Sequence, residues 1–254
     1  VKRILLTIAY DGTRYSGWQK QLSPQVITVE GEVEKAIRTL FRSPELTCIG
    51  ASRTDRGVHA LAQKAIIDVE TTIPVEKIPL AIRPLLPDDI VVIKAEGVDA
   101  DFHPRYDCVK KTYEYKIFNG KMKNPKERLY STFVYSSLDV EKMEIAAKNF
   151  IGTYDFAAFC AAGSTVTSTV RTIFDCFVRQ EGDMIYIYVT GDGFLYNMVR
   201  IMAGTLISVG QGKINPDEIV SIIMSKAGQT AEPQALTLQE IYYDFDRKSV
   251  DTDQ

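Results

Sequence analysis

Apolar positions along the chain follow two rhythms, one of period two and one of helical period. Residues 2–9 alternate as a strand would, up to the Asp11-Gly12 turn. Val29, Val33, Ile37 and Leu40 recur at helical spacing, which predicts an amphipathic helix over 29–42 with Thr28 as N-cap and Pro44 as stop. Residues 45–49 and 64–69 read as strands flanking a polar loop, 50–59. A short helix over 76–83 behind Pro74 and a strand over 90–95 complete this half. In the second half, 111–118 alternates with Tyr113, Tyr115 and Ile117 on one face. A strand at 132–135 follows, then a helix over 139–150 closed by Gly152. Residues 169–179 and 184–190 form a hairpin around Glu181-Gly182, and 194–209 reads as a long apolar helix. Asn215-Pro216 opens a further helix that ends at Gly228, and 236–244 is the last strand.

The order βαββαβ therefore occurs twice, with one strand and one helix added to the second copy. This predicts an α+β protein of two ferredoxin-like halves, 1–105 and 106–254, with antiparallel sheets and helices on one face. A cleft between such halves is a common place for a binding site.

Composition narrows the function classes. At 254 residues, with 45% hydrophobic and 25% charged positions, the chain is neither disordered, collagenous nor coiled coil. Its apolar runs, such as 4–6 and 90–93, fall far short of the ~20 residues that span a bilayer. The basic start at 1–3 lacks a long apolar segment behind it and reads as a strand, not a signal peptide. Cys48, Cys108, Cys160 and Cys176 are scattered, and His59 and His103 are the two histidines. That spacing matches no metal motif and suits a reducing, cytoplasmic compartment.

A net charge of −3 argues against a polyanionic partner, but what binds phosphate is a local field. Residues 103–130 carry eight Lys or Arg against three acids, whereas 232–254 carry six acids against two bases. On charge alone, two solvated surfaces account for this segregation better than a polyanion site does.

Three stretches could carry chemistry. Gly50 to Ala60 holds Asp55 between Arg53 and Arg56, and neighbouring guanidiniums keep a carboxylate ionised for nucleophilic or base work. Gly57 permits a tight turn there; a salt-bridged hairpin loop is the other account. Gly191-Asp192-Gly193 precedes an apolar helix and suits either a phosphate cradle or a hairpin exit turn. Arg200 lies inside that apolar run, where a charge needs a partner or must snorkel to the surface. Lys110 to Tyr115 mixes cations with aromatics, as base stacking would require and as an ordinary core strand would also show. Tyr10 and Trp18 admit the same two accounts.

Six ordered blocks carry a resemblance over most of the chain, roughly Leu5 to Asp244. They are Tyr10-Asp11-Gly12-Thr13, Ser16-Gly17-Trp18-Gln19, Ser52 to Ala60, Thr153-Tyr154-Asp155-Phe156, Thr169 to Ile173, and Gly193 to Tyr196 with Met198-Val199-Arg200. Together they resemble the bacterial tRNA pseudouridine synthase A family. Ser52, Asn197 and Ala235 depart from the family pattern, where glycine, histidine and glycine are usual; none of these changes removes a reactive group. The resemblance implies the pseudouridine synthase fold, with the active site in a central cleft. It implies a homodimer that converts uridine to pseudouridine at positions 38, 39 and 40 in the anticodon arm of tRNA, with no cofactor and no metal. It further implies Asp55 as catalytic nucleophile, Tyr113 packed against the target base, Arg200 paired with Asp55, and Arg53 helping to hold the flipped nucleotide. The competing accounts are a non-catalytic ferredoxin-like RNA-binding or RNA-folding protein, and a nucleoside-hydrolase-like enzyme acting on free uridine.

Overall fold

The computed structural model describes the whole chain except residues 22, 24, 164–165, 226–227 and 246–254. It divides into two compact units, one of residues 1–110 with 238–254 and one of residues 111–237. Both are α+β.

In the first unit, β1 (Lys2–Tyr10) leads to α1 (Val29–Phe41), β2 (Ile49–Gly50), β3 (His59–Val69), α2 (Ile78–Ile82) and β4 (Ile90–Val98). The strand β1 pairs antiparallel with both β3 and β4. Because side chains alternate across a strand, Ile4 and Leu6 fill one side of the sheet. Leu5 fills the other, in a cluster with Ile66 and Phe102. The helix α1 begins where the spacing predicts: the Thr28 hydroxyl accepts from the Gly31 amide. It ends at Arg42 in the left-handed region (φ 53°), two residues before Pro44.

Two elements differ from expectation. The strand expected at 45–49 shrinks to β2, because the carbonyl of Leu46 accepts from Arg38 Nε (2.8 Å) instead of joining the sheet. The helix expected at 76–83 breaks into the single turn α2 between 3-10 turns at Val75–Lys77 and Arg83–Leu85. Pro79 and Pro84 remove the backbone donors that a longer helix would use.

The second unit contains β5 (Cys108–Asn119) from Lys111 on, β6 (Thr132–Val134), α3 (Val140–Lys148), β7 (Gly152–Asp155), β8 (Val170–Glu181) and β9 (Met184–Gly191). It continues with α4 (Met198–Gly210) and α5 (Ile219–Ile223). The last strand, β10 (Leu236–Tyr243), lies beside β3 and belongs to the first unit from Leu238 on. Strands β5, β9, β8 and β7 pair antiparallel in that order, and Gly182 (φ 58°) supplies the tight turn of the β8–β9 hairpin. The sheet is not wholly antiparallel as expected: β6 pairs parallel with β5. Residues 120–131 give the crossover length that a parallel pair requires.

The helix α3 packs against β8 and α4. Asp139 is the N-cap of α3, and Gly152 (φ 131°) begins β7 and does not close the helix. The helix expected from 194 starts only at Met198, because Asn197 is left-handed (φ 61°). The one expected up to Gly228 is the short α5 behind a capping box of Asn215 and Glu218, and part of its far end lies outside the described residues.

Across β1 and β3, Arg3 and Asp68 face each other in register and form two hydrogen bonds of 2.7 Å. The guanidinium holds the Asp68 carboxyl below the usual range. A carboxyl lowered in the folded state stabilises above its unfolded pKa, about 3.9, and loses that contribution as pH falls through the folded value. Asp68→Asn should therefore cost less than about 1 kcal/mol at neutral pH, the pair being partly exposed. The gap from the parent chain should close below about pH 4 in urea melts run across pH.

Candidate functional site

The stretch 51–59 has no regular structure until β3 begins, so its buried polar groups must find partners elsewhere. Gln63, fully buried on β3, supplies two: its Oε1 accepts from the Ser52 amide (3.2 Å) and its Nε2 donates to the Ser52 carbonyl (2.6 Å). Beside it, the Ala51 amide donates to the Lys64 carbonyl (2.8 Å). Thr54 is held twice. Its hydroxyl lies 2.6 Å from the Tyr10 hydroxyl, and its carbonyl accepts from the Trp18 amide (3.1 Å).

Two glycines let the neighbouring chain come this close. A Cβ at Gly17 (φ 89°) would lie 2.5 Å from the Thr54 carbonyl oxygen, and one at Gly12 would lie 1.9 Å from that of Val58. The Gly12 amide instead donates to His59 Nδ1 (3.0 Å). The same nitrogen lies 3.2 Å from Asp11 Oδ1.

The result is a loop anchored on both sides of Asp55. Asp55 itself starts the turn, its carbonyl accepting from the Val58 amide (3.1 Å), with Gly57 left-handed (φ 79°). Ser52 and Thr54 are buried, Asp55 is half-buried, and Arg53 and Arg56 are exposed. The fold thus offers the carboxylate at a rigid turn between two outward guanidiniums. Tyr10, Trp18, Gln63 and His59 do the holding. The spacing starts the strand at Lys64 and leaves His59 at the end of the polar loop, which gives neither His59 nor Gln63 a part in holding the turn; β3 begins five residues earlier, at His59, and carries both.

In the second unit, Tyr113 is buried on β5 opposite Val189 of β9, with its ring edge-on to Phe194 at 5.2 Å. Phe194 lies just before α4, so this contact joins the stretch 110–115 to the stretch 191–200. Arg200, in the first turn of α4, is half-buried; its Nε donates to the Ala231 carbonyl (2.8 Å) and its Nη1 to Asn197 Oδ1 (2.7 Å). Gly191-Asp192-Gly193 is a hairpin exit and not a phosphate cradle at a helix start. Asp192 exchanges bonds with Thr172 through its amide and its side chain, and several residues separate the glycines from Met198.

The basic stretch is mixed in character. Lys111 is buried, Lys116 pairs with Glu114 (3.2 Å), and Lys110 lies over the Tyr242 ring (4.8 Å). Lys121, Lys123, Lys126 and Arg105 are exposed, with Arg128 among them.

A family model described as tRNA pseudouridine synthase matches residues 6–107 and 146–244. The chain is 46% identical over 250 residues to the tRNA pseudouridine synthase A of Caldicellulosiruptor saccharolyticus, covering 96% of this chain and all of that protein. It is likewise 46% identical over 247 residues to that of Thermoanaerobacter sp., with 96% and 100% covered. Among solved structures, a chain of a Cbf5-Nop10-Gar1 complex aligns at 11% identity and a TM-score of 0.38, covering 92% of this chain and 48% of that one.

Gln63→Leu keeps the volume but strips both partners from buried Ser52. It should lower stability by about 1–3 kcal/mol in urea unfolding, more than Tyr10→Phe, which removes one hydroxyl.

Proposed function

The chain belongs to the tRNA pseudouridine synthase family, and from that premise we propose that it isomerises uridine to pseudouridine at positions 38, 39 and 40 of the anticodon arm. In this reading Asp55 is the nucleophile, Tyr113 packs against the base, Arg200 pairs with Asp55, and Arg53 helps to hold the flipped nucleotide. The observation that carries it is the anchored Asp55 turn: a half-buried carboxylate whose backbone neighbours are tied down on both sides.

The chemistry asks for little else. The N1–C1′ bond breaks, the uracil turns, C5 bonds to C1′, C5 loses its proton and N1 gains one. Atoms and electrons balance without an oxidant, so the reaction needs no redox cofactor. An ionised carboxylate serves by stabilising positive character at C1′, by attacking it, or by removing the C2′ proton. A nearby guanidinium favours that ionised form. The freed uracil has to be retained, and an aromatic wall such as Tyr113 retains it. Extrusion of the base costs a few kcal/mol, which phosphate contacts from exposed cations such as Lys121, Lys123 and Lys126 help to offset.

The partners in this reading are tRNA and a second copy of the chain, in the cytoplasm. Among the described residues no helix is long and apolar enough to cross a membrane. The four cysteines are free thiols.

Tritium release from tRNA labelled at uracil C5 tests the chemistry directly, since bond formation at C5 expels that hydrogen. The parent chain should release label, and Asp55→Ala should release none while still binding tRNA in filter assays. Turnover retained by that variant removes Asp55 from the mechanism. Binding without release by the well-folded parent would favour the non-catalytic RNA-binding account. Arg200→Ala should lower both activity and melting temperature, because the Ala231 carbonyl and Asn197 also lose their donor. Unchanged values for both would refute its role.

A further inference from the structure

Tyr115 is fully buried on β5, and the mechanism above gives it no task. Burial pushes its phenol pKa up, so the hydroxyl remains a donor at any working pH. That hydroxyl lies 3.0 Å from the main-chain oxygen of Glu232 and 3.0 Å from Thr132 Oγ1, which in turn lies 3.0 Å from Glu232 Oε2. Two hydroxyl protons suffice here: the phenol donates to the Glu232 carbonyl and Thr132 to the Glu232 carboxylate. Glu232 is thus gripped at its backbone and at its side chain.

Its neighbour Ala231 meets Arg200 at two points, in addition to the contact that Arg200 makes with Asn197. The Ala231 carbonyl accepts from Arg200 Nε (2.8 Å), and the Ala231 amide donates to the Arg200 carbonyl (3.1 Å). The same segment is laid along α4 one turn further on. The Gly228 amide donates to Thr205 Oγ1 (3.2 Å), and a Cβ on Gly204 would lie 1.8 Å from the Gln229 carbonyl oxygen. Displacement of this segment would move the acceptor that orients the guanidinium.

We propose that Tyr115 is a positioning residue for Arg200, acting through the Glu232–Ala231 backbone so that the guanidinium keeps the orientation the reaction needs. Tyr115 touches no reacting atom in this account. The proposal rests on the role given to Arg200 above, and it adds that the role depends on a buried phenol on a different element.

Tyr115→Phe keeps the ring and deletes only the hydroxyl. It should lower kcat for tritium release about tenfold, the scale of a modest misplacement of a reacting or orienting group. KM for tRNA should be unchanged, and the melting temperature should stay within about 2–4 °C of the parent. Arg200→Lys should lower kcat by itself, and Tyr115→Phe added to it should bring no further loss, because the phenol acts only through Arg200. Glu232→Ala, a change at an exposed loop position, should lower kcat in the same direction and should also have no effect in the Arg200→Lys background. It serves equally if Tyr115→Phe fails to fold. Full kcat in Tyr115→Phe, full kcat in Glu232→Ala where Tyr115→Phe fails to fold, or losses that multiply with that of Arg200→Lys, would overturn the proposal while leaving the role of Arg200 intact. Parent-like kcat in Arg200→Lys would overturn both.

Discussion

A carboxylate that must be presented at a sharp turn cannot be carried by a helix or strand, so the backbone around it needs hydrogen-bond partners from outside regular structure. This constraint shapes the first unit. The Ser52 amide and carbonyl and the Thr54 hydroxyl and carbonyl are met by groups placed for them: Gln63 from β3, Tyr10 from the end of β1, the Trp18 amide from the segment before α1. The glycines at 12 and 17 let those segments come near enough. A loop held this way keeps a fixed geometry at the cost of several sequence positions given over to holding its backbone.

The second unit holds Tyr113 and Arg200, the side chains proposed to act there, by another principle. Tyr113 is fixed by the alternation of a strand and by the edge of Phe194. Arg200 is fixed because a helix fixes its Cα while a return segment supplies an acceptor to its Nε. Rigid elements carry the side chain here, and loops only complete its coordination. The close approach at Gly204 and the hydroxyls of Thr205, Thr132 and Tyr115 keep that return segment in place.

Much of the fold was legible in the pattern of residues because it rests on local physics. Thr28 caps α1 where the spacing placed it, and β5 alternates as Tyr113, Tyr115 and Ile117 foretold. The misreadings have local causes that compete with hydrophobic spacing. Pro79 and Pro84 cut a helix to one turn, a left-handed Asn197 delays another, and the Arg38 side chain captures a carbonyl that would have extended β2. The parallel β6 had no local signal, since three residues of strand look alike in either direction.

By itself the sequence determined the class of elements, the motif around Asp55 and the family, because periodicity, capping and ordered blocks are properties of neighbours along the chain. Only the tertiary structure decided that Gln63 and Tyr10 anchor the Asp55 turn, that the paired glycines at 191 and 193 end a hairpin, and that Arg200 is clamped by Ala231. The physical reason is the same in each case. A polar group does not carry the identity of its partner in its own sequence neighbourhood, and the partner is chosen when folding brings distant donors and acceptors together out of water.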